Sequence, residues 1–182
     1  MLFADTCVGR EEEIVALLTR TFAASDGPEE GVLIGTLADN LLRRTDSKDL
    51  FAFAAHGDCG AVVGAALFSR LTYARDDRTV LVLGPVAVET NAQGKGIGRA
   101  LIAHGLRALA RAGVDVAVTY GDPAYYTQLG FAPMDQAIVP APFALSRPEG
   151  WLGLCLAGEA GEIAPLKGPC RCVTALNDPA FW

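Results

Sequence analysis

The sequence predicts a mixed α/β fold, in which antiparallel strands precede a parallel pair of strands joined by a helix. Three observations support this prediction. Apolar residues recur at helical spacing near the N-terminus, continuous apolar runs follow from residue 50, and a glycine-rich turn at residues 93–98 separates one such run from a second helical pattern. The order strand, helix, strand at that turn indicates parallel strands connected by a right-handed crossover.

The N-terminal region is predicted to form two helices. Apolar side chains at helical spacing mark the first helix, at Ile14, Leu17, Leu18 and Phe22 within residues 11–22. Ser25-Asp26-Gly27-Pro28 is a turn signal. Leu33, Leu37 and Leu41 then mark a second helix, which we expect to end near Arg44.

The following apolar runs are predicted to be strands. Residues 50–55 and 61–71 flank the sequence His-Gly-Asp-Cys-Gly, which is typical of a hairpin, and residues 79–88 form a third run rich in β-branched side chains. Beyond the glycines, a helix with Ile97, Leu101, Leu106 and Leu109 on one face is expected to end at Gly113. Residues 114–120 read as a buried strand, and the tail contains predicted strands at residues 151–157 and 171–175.

The length and composition of the chain indicate how many domains it forms and whether it associates with a membrane. The chain has 182 residues, of which 51% are hydrophobic and 20% charged, and we expect a single domain over residues 1–182. The apolar run at residues 61–68 falls far short of the roughly 20 residues of a membrane span, so no membrane association is expected. Asp5 and the glutamates from Glu11 are atypical of a signal peptide, so we expect a cytoplasmic location.

Charge and cysteine content argue against two further classes. The net charge of −6, from 21 acidic and 15 basic residues, disfavours nonspecific nucleic-acid binding, which needs a basic surface. Cys170 and Cys172 are separated by one residue, but no second pair of cysteines or histidines stands at zinc-like spacing, and His56 and His104 are distant in sequence. We therefore expect five reduced thiols and no metal site.

The glycine turn Gln93-Gly94-Lys95-Gly96-Ile97-Gly98 favours binding of an anion. Successive N–H groups between a strand and a helix N-terminus attract negative charge, to which the helix dipole, Lys95 and Arg99 contribute. The spacing of the glycines fits neither the phosphate-binding loop of nucleoside triphosphatases nor the fingerprint of dinucleotide-binding domains. A tight turn with glycines required only for packing is the alternative.

Two longer stretches closely resemble the GNAT superfamily of N-acetyltransferases. LGPVAVETNAQGKGIGRALI resembles the acetyl-CoA signature of that superfamily, with Gln93, Gly96 and Gly98 on the motif and Val86 and Val88 in the preceding strand. YGDPAYYTQLGF ends in the Tyr-x-x-x-Gly-Phe pattern found in many of its enzymes, beginning at Tyr126. The resemblance covers residues 11–134 and leaves the C-terminal extension, residues 140–182, unassigned.

The resemblance implies acetyl-CoA as cosubstrate and a slot between the strands that end at Val88 and Tyr120. The pantetheine arm would bond to the strand edge, and the pyrophosphate would lie on the glycine turn. The implied binding residues are Val86, Ala87, Val88, Gln93, Gly94, Lys95, Gly96, Ile97, Gly98 and Arg99.

The resemblance also implies candidate catalytic groups. Transfer to an amine needs a neutral amine, a donor for the oxyanion and a proton for the departing thiolate. The backbone N–H of Val88 or Ala87 would be the donor, and Tyr126 would supply the proton, whereas Tyr125 is expected to pack. Glu89 or a water chain would accept the amine proton, and we expect Asp122 to cap the short helix that follows it.

Two other functions remain open at this stage. A non-catalytic acyl-CoA-binding or regulatory domain would keep the slot without needing Tyr126, and a nucleotide- or phosphosugar-binding protein would not bind CoA. The acceptor amine is not predicted beyond an amine-bearing small molecule or protein, bound by the second helix, residues 72–78 and the tail. Trp151, Phe181 and Trp182 would line its pocket, fill the core or form a homodimer contact.

Overall fold

A computed structural model of the chain describes residues 1–157 and 161–182. The chain forms two compact units. The first comprises Met1–Phe68 and Gly84–Gly105, and the second comprises Ser69–Leu83 and Leu106–Trp182.

The predicted α/β fold with a mixed sheet is confirmed. Four α-helices are described: α1 (Glu11–Asp26), α2 (Pro28–Arg44), α3 (Ile97–Arg111) and α4 (Pro123–Tyr126). The strands described are β1 (Leu2–Ala4), β2 (Leu50–His56), β3 (Val62–Tyr73), β4 (Asp76–Val88), β5 (Val116–Tyr120), β6 (Ala132–Pro133), β7 (Trp151–Cys155) and β8 (Cys170–Cys172). They form one sheet in the order β1-β2-β3-β4-β5-β7-β6, and β8 pairs with β3.

The first unit is built around the packing of α1 on α2 and of α3 on the N-terminal strands. Gly35 lies where the two helices approach closely, because a Cβ there would clash with the Thr19 hydroxyl. Gly105 plays the same part in α3, where a Cβ would lie 2.9 Å from the Phe53 ring. Fully buried apolar side chains make up the core of this unit, including Ile14, Leu17, Leu18, Leu41, Phe53, Phe68 and Leu101.

The second unit contains the parallel pair of strands. β4 pairs with β5 in a parallel register from Val80↔Val116 to Leu83↔Thr119, and β7 pairs antiparallel with the other edge of β5. The parallel ladder therefore reaches Leu83, whereas β4 continues to Val88.

The C-terminal extension belongs to the core of the second unit. The indole N–H of Trp151 donates to the Val139 carbonyl at 2.8 Å, and the Trp151 and Trp182 rings pack edge to face with centroids 6.0 Å apart. Both tryptophans are buried. Trp151 and Trp182 therefore belong to the core, which was one of the roles predicted for them.

Element boundaries differ from the prediction mainly in short strands. The predicted strand at residues 171–175 is wrong in its bounds: β8 covers Cys170–Cys172, where it pairs with β3, and Thr174–Leu176 forms a 3₁₀ turn instead. β1 and β6, of three and two residues, were not predicted because so short a run carries no periodicity. Gly113 follows α3 with φ +80°, in agreement with its predicted role as the helix stop.

Within residues 1–157 and 161–182, we find no helix that is both long enough and apolar enough to span a bilayer.

Candidate active site

The glycine turn joins β4 to α3 through a short, irregular backbone path. Thr90–Ala92 forms a single 3₁₀ turn, Gln93 is extended, and α3 begins at Ile97. Gly94 and Gly96 have φ values of +73° and +77°, which only glycine adopts without strain. The predicted binding residues from Gln93 to Arg99 thus lie together at the N-terminus of a 15-residue helix.

The turn leaves its glycine backbone open to approach. A Cβ built on Gly94 or Gly96 would meet no other atom within 4 Å, so neither glycine is required by packing against a neighbour. Ile97 differs from these glycines, because its side chain is buried. The side chain of Lys95 folds back, and its Nζ donates to the Asn91 carbonyl at 3.1 Å.

The end of β4 is held by two hydrogen bonds on opposite edges. The Glu89 N–H donates to the Val63 carbonyl of β3 at 2.9 Å, and the Gln93 side-chain amide donates to the Val88 carbonyl at 3.0 Å. Because successive residues of a strand direct their backbone groups to opposite edges, Ala87 faces β3 together with Glu89. Val86 and Val88 direct theirs to the other edge.

Glu89 forms an ion pair with Arg20 of α1. Arg20 Nε donates to Glu89 Oε2 at 2.9 Å, and the Arg20 Nη2 group contacts the same oxygen. The hydrogen bond from Arg20 lowers the pKa of Glu89 more than partial burial raises it. The sequence did not identify Arg20, because its partner lies 69 residues away and no local pattern marks the pair.

Tyr126 lies at the end of α4, immediately after β5. Asp122 caps this helix as predicted, with its Oδ1 accepting from the Ala124 N–H at 2.9 Å. The Tyr126 ring is half-buried and packs edge to face with Tyr125 and with the buried Phe131. Burial is the main cause that raises the pKa of Tyr126, and a hydrogen bond with the Thr119 side chain opposes this shift.

Thr119 and Gly121 are further residues of this region that sequence reasoning missed. Thr119 is fully buried in β5, and Gly121 leaves the space that the Tyr126 ring fills. Neither belongs to the family pattern by which Tyr126 was identified, and a threonine in an apolar strand carries no signal of its own.

Among the described residues, the cysteines are not part of a metal-binding cluster. Over the described residues, no group of three or more histidine, cysteine or acidic side chains is placed to hold a metal ion. Burial raises the pKa of Cys170 to about 11, so its thiol is a weak nucleophile at neutral pH.

Comparison with protein families and curated proteins finds that this chain is similar to acetyltransferases. Residues 47–133 match the family model described as acetyltransferase (GNAT) domain. The chain is 33% identical over 118 residues to the uncharacterized N-acetyltransferase YhbS of Escherichia coli K12. That match covers 65% of this chain and 65% of the relative, so the chain spans about two thirds of the length of the curated protein it matches.

Solved structures share the fold over most of the chain. The Escherichia coli YhbS structure, a complex with CoA, has a TM-score of 0.75 and 24% identity over 97% of this chain and 92% of that one. A GNAT family acetyltransferase from Brucella melitensis, in complex with acetyl-CoA, has a TM-score of 0.68 and 24% identity over 97% of both chains. Tetrahymena GCN5 is more distant, with a TM-score of 0.56 and 15% identity over 82% of this chain and 88% of that one.

Proposed function

We propose that the chain is an enzyme of the GNAT family, an acetyl-CoA-dependent N-acetyltransferase, since residues 47–133 match the acetyltransferase (GNAT) domain model. It transfers the acetyl group to a primary amine by direct attack of that amine on the thioester. The observation that carries this proposal is the β4–α3 turn, in which Gly94 and Gly96 expose their backbone at the start of α3.

In this proposal the turn holds the CoA pyrophosphate. A Cβ at Gly94 or Gly96 would project into open space, so the turn has room for an anion against its N–H groups. The dipole of the 15-residue α3 and the charges of Lys95 and Arg99 favour the same ligand. Gly98 lies in the first turn of α3 and contributes its N–H to the same end of the helix.

The edge of β4 that faces away from β3 takes the pantetheine arm. Val86 and Val88 direct their backbone groups to this edge, and an amide-bearing chain supplies the hydrogen bonds that a strand edge needs. The same alternation favours Val88 over Ala87 as the oxyanion donor, because the Ala87 N–H points towards β3. Gln93 supports this role by binding the Val88 carbonyl at 3.0 Å, which fixes the backbone beside the donor.

Proton transfer completes the reaction. The neutral amine attacks the thioester carbonyl, the tetrahedral oxyanion collapses, and the C–S bond breaks. Tyr126 then donates its phenolic proton to the departing thiolate, and its raised pKa keeps the phenol protonated at neutral pH. Of the two alternatives for the base, the ion pair of Glu89 with Arg20 favours the water chain, since a carboxylate with a lowered pKa is a weak proton acceptor.

The test is release of CoA thiol from acetyl-CoA in the presence of a panel of amines, with a parallel calorimetric titration of acetyl-CoA, ATP and NAD. We expect acetyl-CoA to bind and at least one amine class to accelerate thiol release. Binding of acetyl-CoA without turnover for any amine would favour the non-catalytic acyl-CoA-binding domain. Binding of ATP or NAD without acetyl-CoA would favour the nucleotide-binding alternative.

A further inference from the structure

One peptide group at the end of β4 is held from two sides. In the peptide that joins Val88 to Glu89, the N–H donates to the Val63 carbonyl at 2.9 Å, and the carbonyl accepts a hydrogen bond from the Gln93 side-chain amide at 3.0 Å. Val63 belongs to the neighbouring strand β3, whereas Gln93 belongs to the connection that follows β4. A side chain thus supplies the donor that a neighbouring strand would otherwise supply to this carbonyl.

Gln93 is also part of the glycine turn. It directly precedes Gly94, and its backbone is extended, with φ −65° and ψ 165°. Lys95 makes a second side-chain hydrogen bond from this turn, but its Nζ donates to the Asn91 carbonyl at 3.1 Å and so stays within the connection. Of these two side chains, only that of Gln93 links the turn back to β4.

We propose that Gln93 is a positioning residue that couples binding of the CoA pyrophosphate to the orientation of the Val88 N–H. This inference rests on the proposed function, in which the turn holds the pyrophosphate and the Val88 N–H is the oxyanion donor. A pyrophosphate on the turn fixes the backbone of Gln93, and the Gln93 amide fixes the peptide that follows Val88. The Val88 N–H then has less freedom to swing away from the acetyl carbonyl. Gln93 itself makes and breaks no covalent bond in the transfer.

The exposure of Gln93 explains why this contact responds to the ligand. Water competes for an exposed hydrogen bond, so the contact with the Val88 carbonyl adds little to the order of the free protein. A cosubstrate that covers the turn excludes this water and strengthens the bond. The gain appears mainly in the transition state, because the charge on the oxyanion makes the direction of its donor most important there.

The decisive variant is Gln93→Met, which keeps an unbranched side chain of the same length and removes the donor. We expect kcat to fall by roughly 10-fold, the effect of a misplaced catalytic group, while the Kd of acetyl-CoA stays within about threefold. Gln93→Arg supplies N–H donors again and is expected to restore kcat to within about threefold of the wild type.

Lys95→Met is the matched control, because it removes the hydrogen bond that stays within the turn. It also removes a positive charge beside the anion site. We therefore expect it to weaken acetyl-CoA binding by roughly 3-fold to 10-fold and to keep kcat within about threefold at saturating acetyl-CoA.

A truncated cosubstrate tests the coupling itself. S-acetylpantetheine keeps the thioester and both amides but lacks the pyrophosphate. We expect the kcat of the wild type to fall with this cosubstrate, since remote binding energy no longer orders the donor. Gln93→Met should then be nearly as fast as the wild type, because without a pyrophosphate Gln93 has nothing to transmit.

Hydrogen exchange provides a readout without catalysis. The Glu89 amide belongs to the peptide whose carbonyl Gln93 holds. We expect CoA to slow exchange of this amide in the wild type, and to slow it far less in Gln93→Met although CoA still binds. If the wild type acetylates no amine but this difference is found, the proposed function fails while the coupling stands. Absence of CoA binding by the wild type would overturn both.

Two further results would overturn the inference. One is the same fold-loss of kcat in Gln93→Met with acetyl-CoA and with S-acetylpantetheine, which would mean that Gln93 acts independently of the pyrophosphate. The other is equal slowing of Glu89 exchange by CoA in both proteins. Should Gln93→Met fail to fold, Gln93→Ala also removes the amide, and the same two comparisons decide with that variant.

Discussion

Tyr125 and Tyr126 are adjacent in sequence, and the Tyr126 ring packs edge to face with the buried Phe131. If the Tyr126 hydroxyl protonates the thiolate, Tyr126→Phe should slow turnover on the order of 100-fold, the usual effect of removing a general acid. The affinity for acetyl-CoA should change by no more than about 1 kcal/mol, the contribution of one neutral hydrogen bond. Steady-state kinetics and calorimetry measure the two quantities separately.

Tyr125→Phe is the matched control for that experiment. It removes the same atom from the neighbouring ring, and we expect it to keep turnover near that of the wild type. Full turnover in Tyr126→Phe together with a loss in Tyr125→Phe would show that the acid is the other tyrosine.

Glu89 illustrates how a contact changes the interpretation of a residue. Its ion pair with Arg20 lowers its pKa below the ordinary value of 4.5, so we expect Glu89→Gln to slow turnover at pH 7 by less than about 10-fold. A folded-state pKa that is lowered contributes stability above pH 4.5, and this contribution is lost as the pH falls through the lowered pKa. The stability difference between wild type and Glu89→Gln should therefore shrink in acid, as thermal unfolding followed from neutral pH into the acid range would measure.

Turnover slowed by about 100-fold or more in Glu89→Gln, with KM unchanged, would instead identify Glu89 as the base. Arg20→Gln is the companion variant, because it frees the carboxylate without removing it. It should raise the pKa of Glu89 towards its ordinary value and leave turnover intact if water accepts the amine proton.

Sequence motifs name Tyr126 and Glu89 as candidates but do not name the residues that contact them. Arg20 reaches Glu89 from α1, and the Tyr126 ring packs against the backbone at Gly121 and against Phe131. Such contacts depend on how elements fold back on each other, and no local periodicity records them. Motifs therefore single out Tyr126 and Glu89 as candidates, whereas the causes of their pKa shifts follow only from the tertiary structure.

At the scale of elements, the proposed function makes the backbone conformation of the β4–α3 turn responsible for binding the CoA pyrophosphate. Gly96 has φ +77°, so Gly96→Val places a β-branched residue in a conformation that it rarely adopts and adds a side chain where the turn is open. We expect this variant to lose measurable acetyl-CoA binding in calorimetry at a temperature at which circular dichroism shows that it is still folded. Gly98→Val should also lose binding, by filling the start of α3 with a side chain.

Arg99→Ala is the control for the turn. It removes a charge and leaves the backbone unchanged, so binding should weaken without disappearing. Normal acetyl-CoA binding in both glycine variants would contradict a pyrophosphate site at residues 93–99.

Long elements were predictable and short ones were not, for a physical reason. α1, α2 and α3 each carry several turns of apolar spacing, and β3 and β4 are long apolar runs, so their sequences indicate them directly. β8 has only three residues and exists because β3 offers it a partner. Its bounds are a property of the tertiary structure, which explains why the predicted strand at residues 171–175 was misplaced.

At the scale of the whole chain, the C-terminal extension is tied to β4 by one charged cluster. The Asp76 carboxylate accepts hydrogen bonds from Arg78 Nε at 2.8 Å and from the backbone N–H of Lys167 at 3.2 Å. The Arg78 guanidinium also donates to two carbonyls of the extension, those of Ala164 at 2.8 Å and Pro165 at 3.0 Å. The hydrogen bonds from Arg78 hold the pKa of Asp76 well below its usual range. The cluster joins two parts of the sequence that the family motifs do not connect.

Asp76→Asn should therefore lower the free energy of unfolding by about 2 kcal/mol at pH 7, since it leaves the Arg78 charge without its carboxylate. Because the folded-state pKa is lowered from 3.8, the stabilisation is complete above that pH and declines as the pH falls further. Denaturant unfolding at neutral pH and in acid measures both effects. The exposed Asp77→Asn is the matched control and should be nearly silent; an equal loss in both variants would contradict a specific role for Asp76.

The central claim is that this chain moves an acetyl group from CoA to an amine. The most direct measurement is mass spectrometry of an amine panel after incubation with acetyl-CoA that carries an isotopic label in its acetyl group, using wild type and Gly96→Val side by side. The account predicts one labelled acetyl group on the nitrogen of at least one amine with the wild type, and none above background with Gly96→Val. Binding of acetyl-CoA by the wild type with no labelled amine in any reaction, or equal labelling by both proteins, would contradict it.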